Sequence, residues 1–406
     1  MRRSWQFRAA AAVATTLALT SCGTNAAEKP TAAAPTSEAA PASEAAPTSA
    51  PAPSSAAPTS AAPKDCVTRT LDGLDLAGRA GQLLMVGVPV DTPSGYAGAV
   101  QRYRLGGIFL RGRSTHAAAE LRGDIAGLQG KATLPMLVAL DQEGGSVQTL
   151  KGPDFPILPS AQRLGSGPAA TLRSTTRESA RRLAAIGVNL NLAPVADTVP
   201  ADIGQDNPPI GAFKRQYGSE PAQVAAAIKT VVPASQDAGV LTTLKHFPGL
   251  GRVSANTDTS TRAVDTTATA TDPYLQPFAA GIGAGSAAVM ISSASYPKLD
   301  DSAIAAYSKP IVTDLLRGRL GFKGLVISDD LGAAVAASTL PPAQRAVRFV
   351  AAGGDMVLTI VPSNAKPMSA ALIDRAEKDQ AFRARVDDAA RHVLQAKERA
   401  GVLKCG

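Results

Sequence analysis

The sequence predicts a single (β/α)8 barrel, a TIM-like α/β fold, and three observations carry that prediction. Eight short apolar runs recur from Gln82 onward. Each is continuous rather than alternating, as expected of strands buried on both faces of a parallel sheet. Segments of helical composition separate them, and eight such units in roughly 300 residues match the count and size of a TIM barrel. The competing architecture, an open doubly wound sheet, would place a GxGxxG turn after its first strand, and none stands there.

Two segments precede the barrel. Residues 1–21 read as a signal peptide: Arg2, Arg3 and Arg8 form a basic start, and the apolar core "AAAAVATTLALT" is too short to span a bilayer comfortably. The core ends in "LTSC", Leu19 to Cys22, which resembles a bacterial lipobox, so Cys22 is expected to be acylated and to become the new N-terminus. An ordinary secretory signal with a chance cysteine is the alternative. The remainder of residues 22–64 is rich in Ala, Pro, Ser and Thr and nearly free of large apolar side chains. Such a chain buries too little surface to offset its ordering entropy, so it reads as a disordered tether. Its prolines would extend it to on the order of 100 Å at full stretch.

The barrel then occupies residues 65–406. Its strands are expected at "QLLMVGV" (82–88), "GGIFL" (106–110), "PMLVAL" (135–140) and "VNLNLAPV" (188–195). The second half supplies "VLTTLKHF" (240–247), "AAVMISS" (287–293), "GLVISDD" (324–330) and "DMVLTI" (355–360). "THAAAELRGDIAGLQG" and "TLRSTTRESARRLAAIG" are helices between strands, the second stopped by Gly187. "IDRAEKDQAFRARVDDAARHVLQAKERAG" reads as one long closing helix.

Composition narrows the function classes. The formal charge of +8, from 41 basic and 33 acidic residues, is mild. It is dispersed without a Lys/Arg-rich run, which argues against a nucleic-acid partner. The single tryptophan is Trp5, inside the signal, so polar groups rather than a broad aromatic surface are expected to hold any ligand. With Cys22 acylated, Cys66 and Cys405 are the remaining thiols, one at each end of the barrel and in an oxidising compartment. Barrel termini commonly lie close together, so these two are expected to form a disulfide, worth on the order of 5 kcal/mol in the chain-entropy model.

In a barrel, chemistry gathers at the carboxyl ends of the strands. There the third strand delivers Asp141 and Glu143, the fourth Asp197, the fifth Lys245 and His246, and the seventh Asp329 and Asp330. Carboxylates around a cationic, hydrogen-bonding pocket suit glycoside hydrolysis, in which one attacks the anomeric carbon and another group protonates the leaving oxygen. Two other readings use the same residues. Lys245 on a barrel strand could form a Schiff base, and His246 with Asp258 could begin a metal site, though no third ligand stands at regular spacing. No cofactor and no metal are expected. His116 and His392 fall in segments of helical composition and read as surface residues.

"LDQEGGSVQ", "NLAPVAD", "LKHFPGLG" and "GFKGLVISDDLG", in that order, resemble the glycoside hydrolase family 3 β-N-acetylglucosaminidases over essentially all of residues 75 to 400. The resemblance implies a retaining β-N-acetylhexosaminidase that removes terminal non-reducing β-linked N-acetylglucosamine from peptidoglycan fragments. The enzyme would be a monomer acting on a small glycan or muropeptide, held by its lipid on the outer face of the cytoplasmic membrane. Position by position, Asp329 matches the nucleophile, and Asp141, Lys245 and His246 match residues that bind sugar hydroxyls. "IGAFKRQYG" resembles the family's "IGxRSFG" with two extra residues, which makes Arg215 the substrate-binding arginine. Asp330 should face away from the pocket and cap the next helix.

Two departures stand out. The "DQEGG" loop usually continues with arginines, and this chain has Ser146 and Thr149 there. The family's Asp-Ser-His triplet after strand five, which carries its acid/base, reads Asn256-Thr257-Asp258. Asp258 is therefore the expected acid/base, on a loop hinged at Gly249 and Gly251. The altered triplet also keeps open a non-catalytic, tethered wall-fragment binding protein of the same fold.

Overall fold

The structure is a computed structural model and describes residues 65–404. The signal segment, Cys22, the tether and Cys405 lie outside the described residues. All eight expected runs form strands: β1 (Leu84–Pro89), β2 (Gly107–Arg111), β3 (Leu137–Leu140), β4 (Leu190–Asn191), β5 (Leu241–Phe247), β6 (Ala288–Ile291), β7 (Leu325–Ser328) and β8 (Val357–Thr359). They pair in parallel in the order β7-β6-β5-β4-β3-β2-β1-β8. The two ends of that order meet through a parallel bridge, Ile327 to Met356, and a 3.0 Å bond from Ser328 N–H to Met356 O. The result is a nearly closed (β/α)8 barrel.

Strand residues divide between two cores, as the pleat requires. Val86, Ile108, Val138, Leu244, Val289 and Val326 pack outward with the helices. Met85, Phe109, Leu137, Leu190, Met290 and Ile327 form a separate inner cluster. Both faces are apolar, which is why the runs show little alternation in sequence.

The helices Ala118–Gln129 and Ala169–Ala185 fall where the sequence places them. The closing segment differs. It is two helices, Ala365–Lys378 and Gln380–Arg399, and Asp379 breaks between them with φ −138° and ψ 106°. Its carboxylate accepts the Phe382 N–H at 3.1 Å, so an N-cap restarts the helix where composition alone suggested continuity. No helix among the described residues is long and apolar enough to cross a membrane.

Candidate active site

Beyond β3 the chain makes a short antiparallel hairpin, Gln142–Gly144 against Val147–Gln148. Gly144 (φ +102°) and Gly145 (φ +58°) turn it, and a side chain at Gly144 would also meet Pro159 O at 2.5 Å. The hairpin stands beside the end of β5, where Lys245 and His246 both line a single cavity of about 360 Å³. Neighbouring strand residues ordinarily face opposite ways. Here the β5–β6 register shifts between Leu244 and Phe247, and the Lys245–His246 peptide is cis. Phe109, Leu192, Met290 and Leu358 of the inner core line the same cavity.

One ionic network forms the wall. Lys245 Nζ lies 2.6 Å from Asp141 Oδ1 and 2.7 Å from Glu143 Oε1. Arg215 grips Glu143 with two bonds, 2.9 Å from Nε and 2.8 Å from Nη2, and gives a third to Pro209 O. Burial opposes the charge on Glu143, but Arg215 and Lys245 outweigh it and hold the carboxyl well below its ordinary range. Lys245 is likewise penalised by burial, yet Asp141 and Glu143 raise it above its ordinary value. A lysine held so firmly protonated is a poor nucleophile, which removes the physical basis for a Schiff base.

His246 is fixed on both sides. Asp197, fully buried, accepts its ring Nδ1–H at 2.7 Å, and also the main-chain N–H groups of His246 and Leu250 at 3.1 and 2.8 Å. On the other ring nitrogen, Nε2 lies 3.4 Å from Arg215 Nη2. A guanidinium can only donate, so Nε2 is the acceptor and Nδ1 carries the proton. With both nitrogens engaged, His246 has no position open for a metal. Among the described residues, no group of three or more His, Cys, Asp or Glu is arranged to hold a metal ion.

Opposite this wall stand three carboxylates, Asp258, Asp329 and Asp330. Asp329 is half-buried at the end of β7, and its Oδ1 takes the Asp330 N–H at 2.8 Å. Asp258 is exposed at the mouth. Enough protein still surrounds its carboxyl to raise its pKa by desolvation, and the nearby charge of Asp329 raises it further. Asp258 is held in place through its backbone: its N–H reaches Asn256 Oδ1 at 2.9 Å, and its carbonyl accepts the Val335 N–H at 3.3 Å.

The cavity thus brings together Asp141, Arg215, Lys245, His246, Asp258 and Asp329, the polar residues singled out for the pocket in the sequence. Glu143 and Asp197 were visible there as strand-end carboxylates without a role. Their roles are to lock Arg215 with Lys245, and to orient His246. Four expectations need correction. Asp330 lines the cavity rather than facing away, and it caps no helix. Its oxygens accept the N–H groups of Gly332, Ala333 and Ile360, tying a turn to the end of β8. Gly251 is no hinge, because a Cβ there would lie 1.7 Å from Thr198 O, and its neighbour Leu250 is pinned by Asp197 and Asn207. His116 precedes its helix by two residues. His392 donates to the buried Asp355 at 3.0 Å and is not a free surface residue.

The barrel and this site can be set beside known proteins. The model of the glycosyl hydrolase family 3 N-terminal domain matches residues 76–396. The chain belongs to glycosyl hydrolase family 3. Among its relatives, a β-hexosaminidase of Xanthomonas oryzae pv. oryzae is 34% identical over 279 residues, covering 65% of this chain and 78% of that one. The structure of a β-N-acetylhexosaminidase from Beutenbergia cavernae is 44% identical, with a TM-score of 0.78, over 80% of this chain and 99% of that one. A family 3 β-N-acetylglucosaminidase from Paenibacillus is 29% identical with a TM-score of 0.74, over 82% and 64%. As a family 3 member this chain is a glycosidase.

Proposed function

We propose that this family 3 glycosidase removes terminal non-reducing β-linked N-acetylglucosamine by double displacement. Asp329 attacks the anomeric carbon and forms a glycosyl-aspartate, and Asp258 protonates the leaving oxygen and then deprotonates the incoming water. Asp141, Lys245, Arg215 and His246 hold the sugar hydroxyls. One observation carries the reading. Among the described residues, Asp258 and Asp329 are the cavity carboxylates that keep an oxygen uncommitted, free of ion pairs and of multiple main-chain donors. Burial and the nearby charge of Asp329 move the Asp258 pKa upward, the direction a proton donor needs. His246 is poorly placed for that task, since its proton is already given to Asp197 and its other nitrogen faces a cation.

The relatives named β-hexosaminidase and β-N-acetylglucosaminidase support the choice of sugar. Peptidoglycan fragments are the substrate class that fits an enzyme tethered outside the cell, with Cys22 as the lipid anchor and the barrel acting as a monomer. Cys66 is disulfide-bonded. Cys405 is the partner we assign, because Cys22 would carry lipid.

Two leaving groups in an Asp258→Ala variant test the mechanism. An activated aryl N-acetylglucosaminide needs little proton assistance and should keep most of its glycosylation rate. A sugar aglycone should lose about 10²-fold or more, and azide should restore deglycosylation of the aryl substrate by attacking without a general base. Equal slowing of both substrates with no azide effect would remove Asp258 from the role. No turnover of any glycoside by the unaltered protein would favour a tethered wall-fragment binding protein instead.

A further inference from the structure

After β5 the chain leaves the barrel wall between Arg252 and Asp265, and residues 253–264 carry Asp258 near the middle of that excursion. A proton donor on so long a loop needs the ends of the loop fixed, because a displacement of about 1 Å is enough to slow a reaction strongly. One side of the root is already fixed. Asp197 pins Leu250, and Thr198 O leaves no room for a side chain at Gly251.

The other fixings converge on Arg252. Its Nε donates to Asp265 Oδ2 at 3.0 Å, so the residues at the two ends of the excursion are bonded to each other. Its Nη2 reaches Asp272 Oδ2 at 2.5 Å, and its Nη1 reaches Asp272 Oδ1 at 3.4 Å. The guanidinium carbon also lies 4.1 Å from the centre of the Tyr274 ring, within cation–π range. Both carboxylates are themselves anchored. Asp265 is buried, and its Oδ1 accepts the Thr267 N–H, the Thr267 hydroxyl and the Ala268 N–H at 2.7, 2.6 and 3.0 Å. Its own N–H donates to Ser295 O, beyond β6, at 3.0 Å. Asp272 accepts the Tyr274 N–H at 2.9 Å, at the turn that leads into the helix Gln276–Gly283. Phe278 of that helix packs edge-on against Phe247 of β5, with ring centres 5.3 Å apart.

Farther out, the neck of the excursion is closed by the Ser254 N–H on Val264 O and the Ser254 hydroxyl on Arg262 O, both at 3.1 Å. At its tip, Thr257 O accepts the Ala336 N–H at 3.0 Å, beside the bond between Asp258 O and Val335. That ties the tip to the segment following β7, the strand that ends at Asp329. None of these bonds uses the Asp258 carboxyl.

We propose that Arg252 is a positioning residue for the acid/base: by clamping both ends of the excursion to the barrel, it sets where the Asp258 carboxyl stands over the cavity. Arg252 does not line that cavity, so it acts through Asp258 and not on the sugar. Lysine cannot replace it, because a point charge has no planar fork to meet two carboxylates while facing a ring. The proposal rests on Asp258 as the acid/base and adds the means by which it is placed.

The test compares Arg252→Gln, Arg252→Lys, Asp258→Ala and the Arg252→Gln/Asp258→Ala double variant, with single-turnover glycosylation rates taken per folded molecule. In Arg252→Gln, a β-1,4 disaccharide should react about tenfold more slowly, while an activated aryl N-acetylglucosaminide should stay within about twofold of the unaltered rate. Arg252→Lys should show the same split. Adding Arg252→Gln to Asp258→Ala should cost the disaccharide nothing further, since the group being positioned is gone. Equal slowing of both substrates by Arg252→Gln, or a further tenfold loss in the double variant, would leave Arg252 a purely structural role and overturn the proposal. If Asp258→Ala itself fails to separate the two substrates, the acid/base assignment falls, and the role of Arg252 falls with it.

Discussion

The barrel buries charge at both ends, and the two ends use it differently. At the floor, Asp355 precedes β8 with no exposed surface. It accepts Arg317 at 2.6 Å, His392 at 3.0 Å, the Val326 N–H at 2.8 Å, and also Arg385. Burial opposes its charge, but the His392 bond and the Arg317 charge hold its carboxyl below its ordinary value. Every oxygen is committed. The rim builds a similar knot around Glu143, but sets across from it Asp258 and Asp329 with oxygens to spare. Buried charge alone therefore does not mark chemistry. What sets the rim apart is an uncommitted carboxylate facing a cavity wall of satisfied charges, the arrangement that the proposed mechanism uses.

The largest expected effect falls on the uncommitted group. Asp329→Asn should lower kcat by about 10³-fold or more, because an amide cannot form the glycosyl-enzyme. Asp330→Asn should act as floor residues do. It replaces one oxygen that accepts the Ala333 N–H with a donor, so it should lower Tm by several degrees, with a far smaller loss of rate. Thermal melts alongside single-turnover rates separate the two, and equal rate losses would blur the assignment of the nucleophile.

A paired comparison probes the knots themselves. Glu143→Gln leaves a neutral amide where Arg215 and Lys245 met a carboxylate, with Pro209 O and Asp141 as their other partners, so the wall proposed to hold the sugar shifts. Displacements of that kind cost about 10² in kcat/KM. Asp355→Asn leaves Arg317, Arg385 and His392 around a neutral group, and breaking a buried pair typically costs about 3–5 kcal/mol of stability. Its kcat/KM per folded molecule should stay near that of the unaltered protein. A floor variant that slowed the reaction while still fully folded would break the division between the two ends.

Much of this division was legible in the sequence. Doubly buried strands leave continuous apolar runs, so all eight could be placed, and the rim residues followed from where those runs ended. Partnerships across the fold could not be read. Glu143 and Arg215 are separated by 72 positions, and nothing local to "DQEGG" says which cation its glutamate will meet. His392 sits in a helix of ordinary polar composition, so its bond to Asp355, 37 positions away, left no local trace. Gly251 looked like a hinge because sequence reports a missing side chain, not the Thr198 carbonyl that fills its place. Asp379 was hidden for the opposite reason: a polar residue in a helical segment gives no sign that its carboxylate will cap a new one.

The subtlest effect, read only as a dependence on pH, concerns another buried charge at the floor. Lys397 is fully buried, and among the described residues its Nζ has one partner, the side-chain oxygen of Gln82. Desolvation lowers its pKa from 10.5 to about 7. The folded protein therefore releases this proton near neutrality, while the unfolded chain keeps it until about pH 10.5. Between those values the unfolded state binds more protons, so this group makes stability rise with pH, from about pH 7 upward. The slope cannot exceed about 1.4 kcal/mol per pH unit for one proton, and little of it is felt below pH 7, where both states are protonated. Lys397→Met removes the ionisable group and keeps much of the volume. The variant should be more stable than the unaltered protein at pH 6, and its advantage should shrink steadily between pH 7 and 10. Urea unfolding of both proteins across that range isolates the difference, since other groups titrate alike in the two. A constant gap at every pH would mean that Lys397 stays charged in the fold, and that the floor tolerates a buried ammonium with one amide for company.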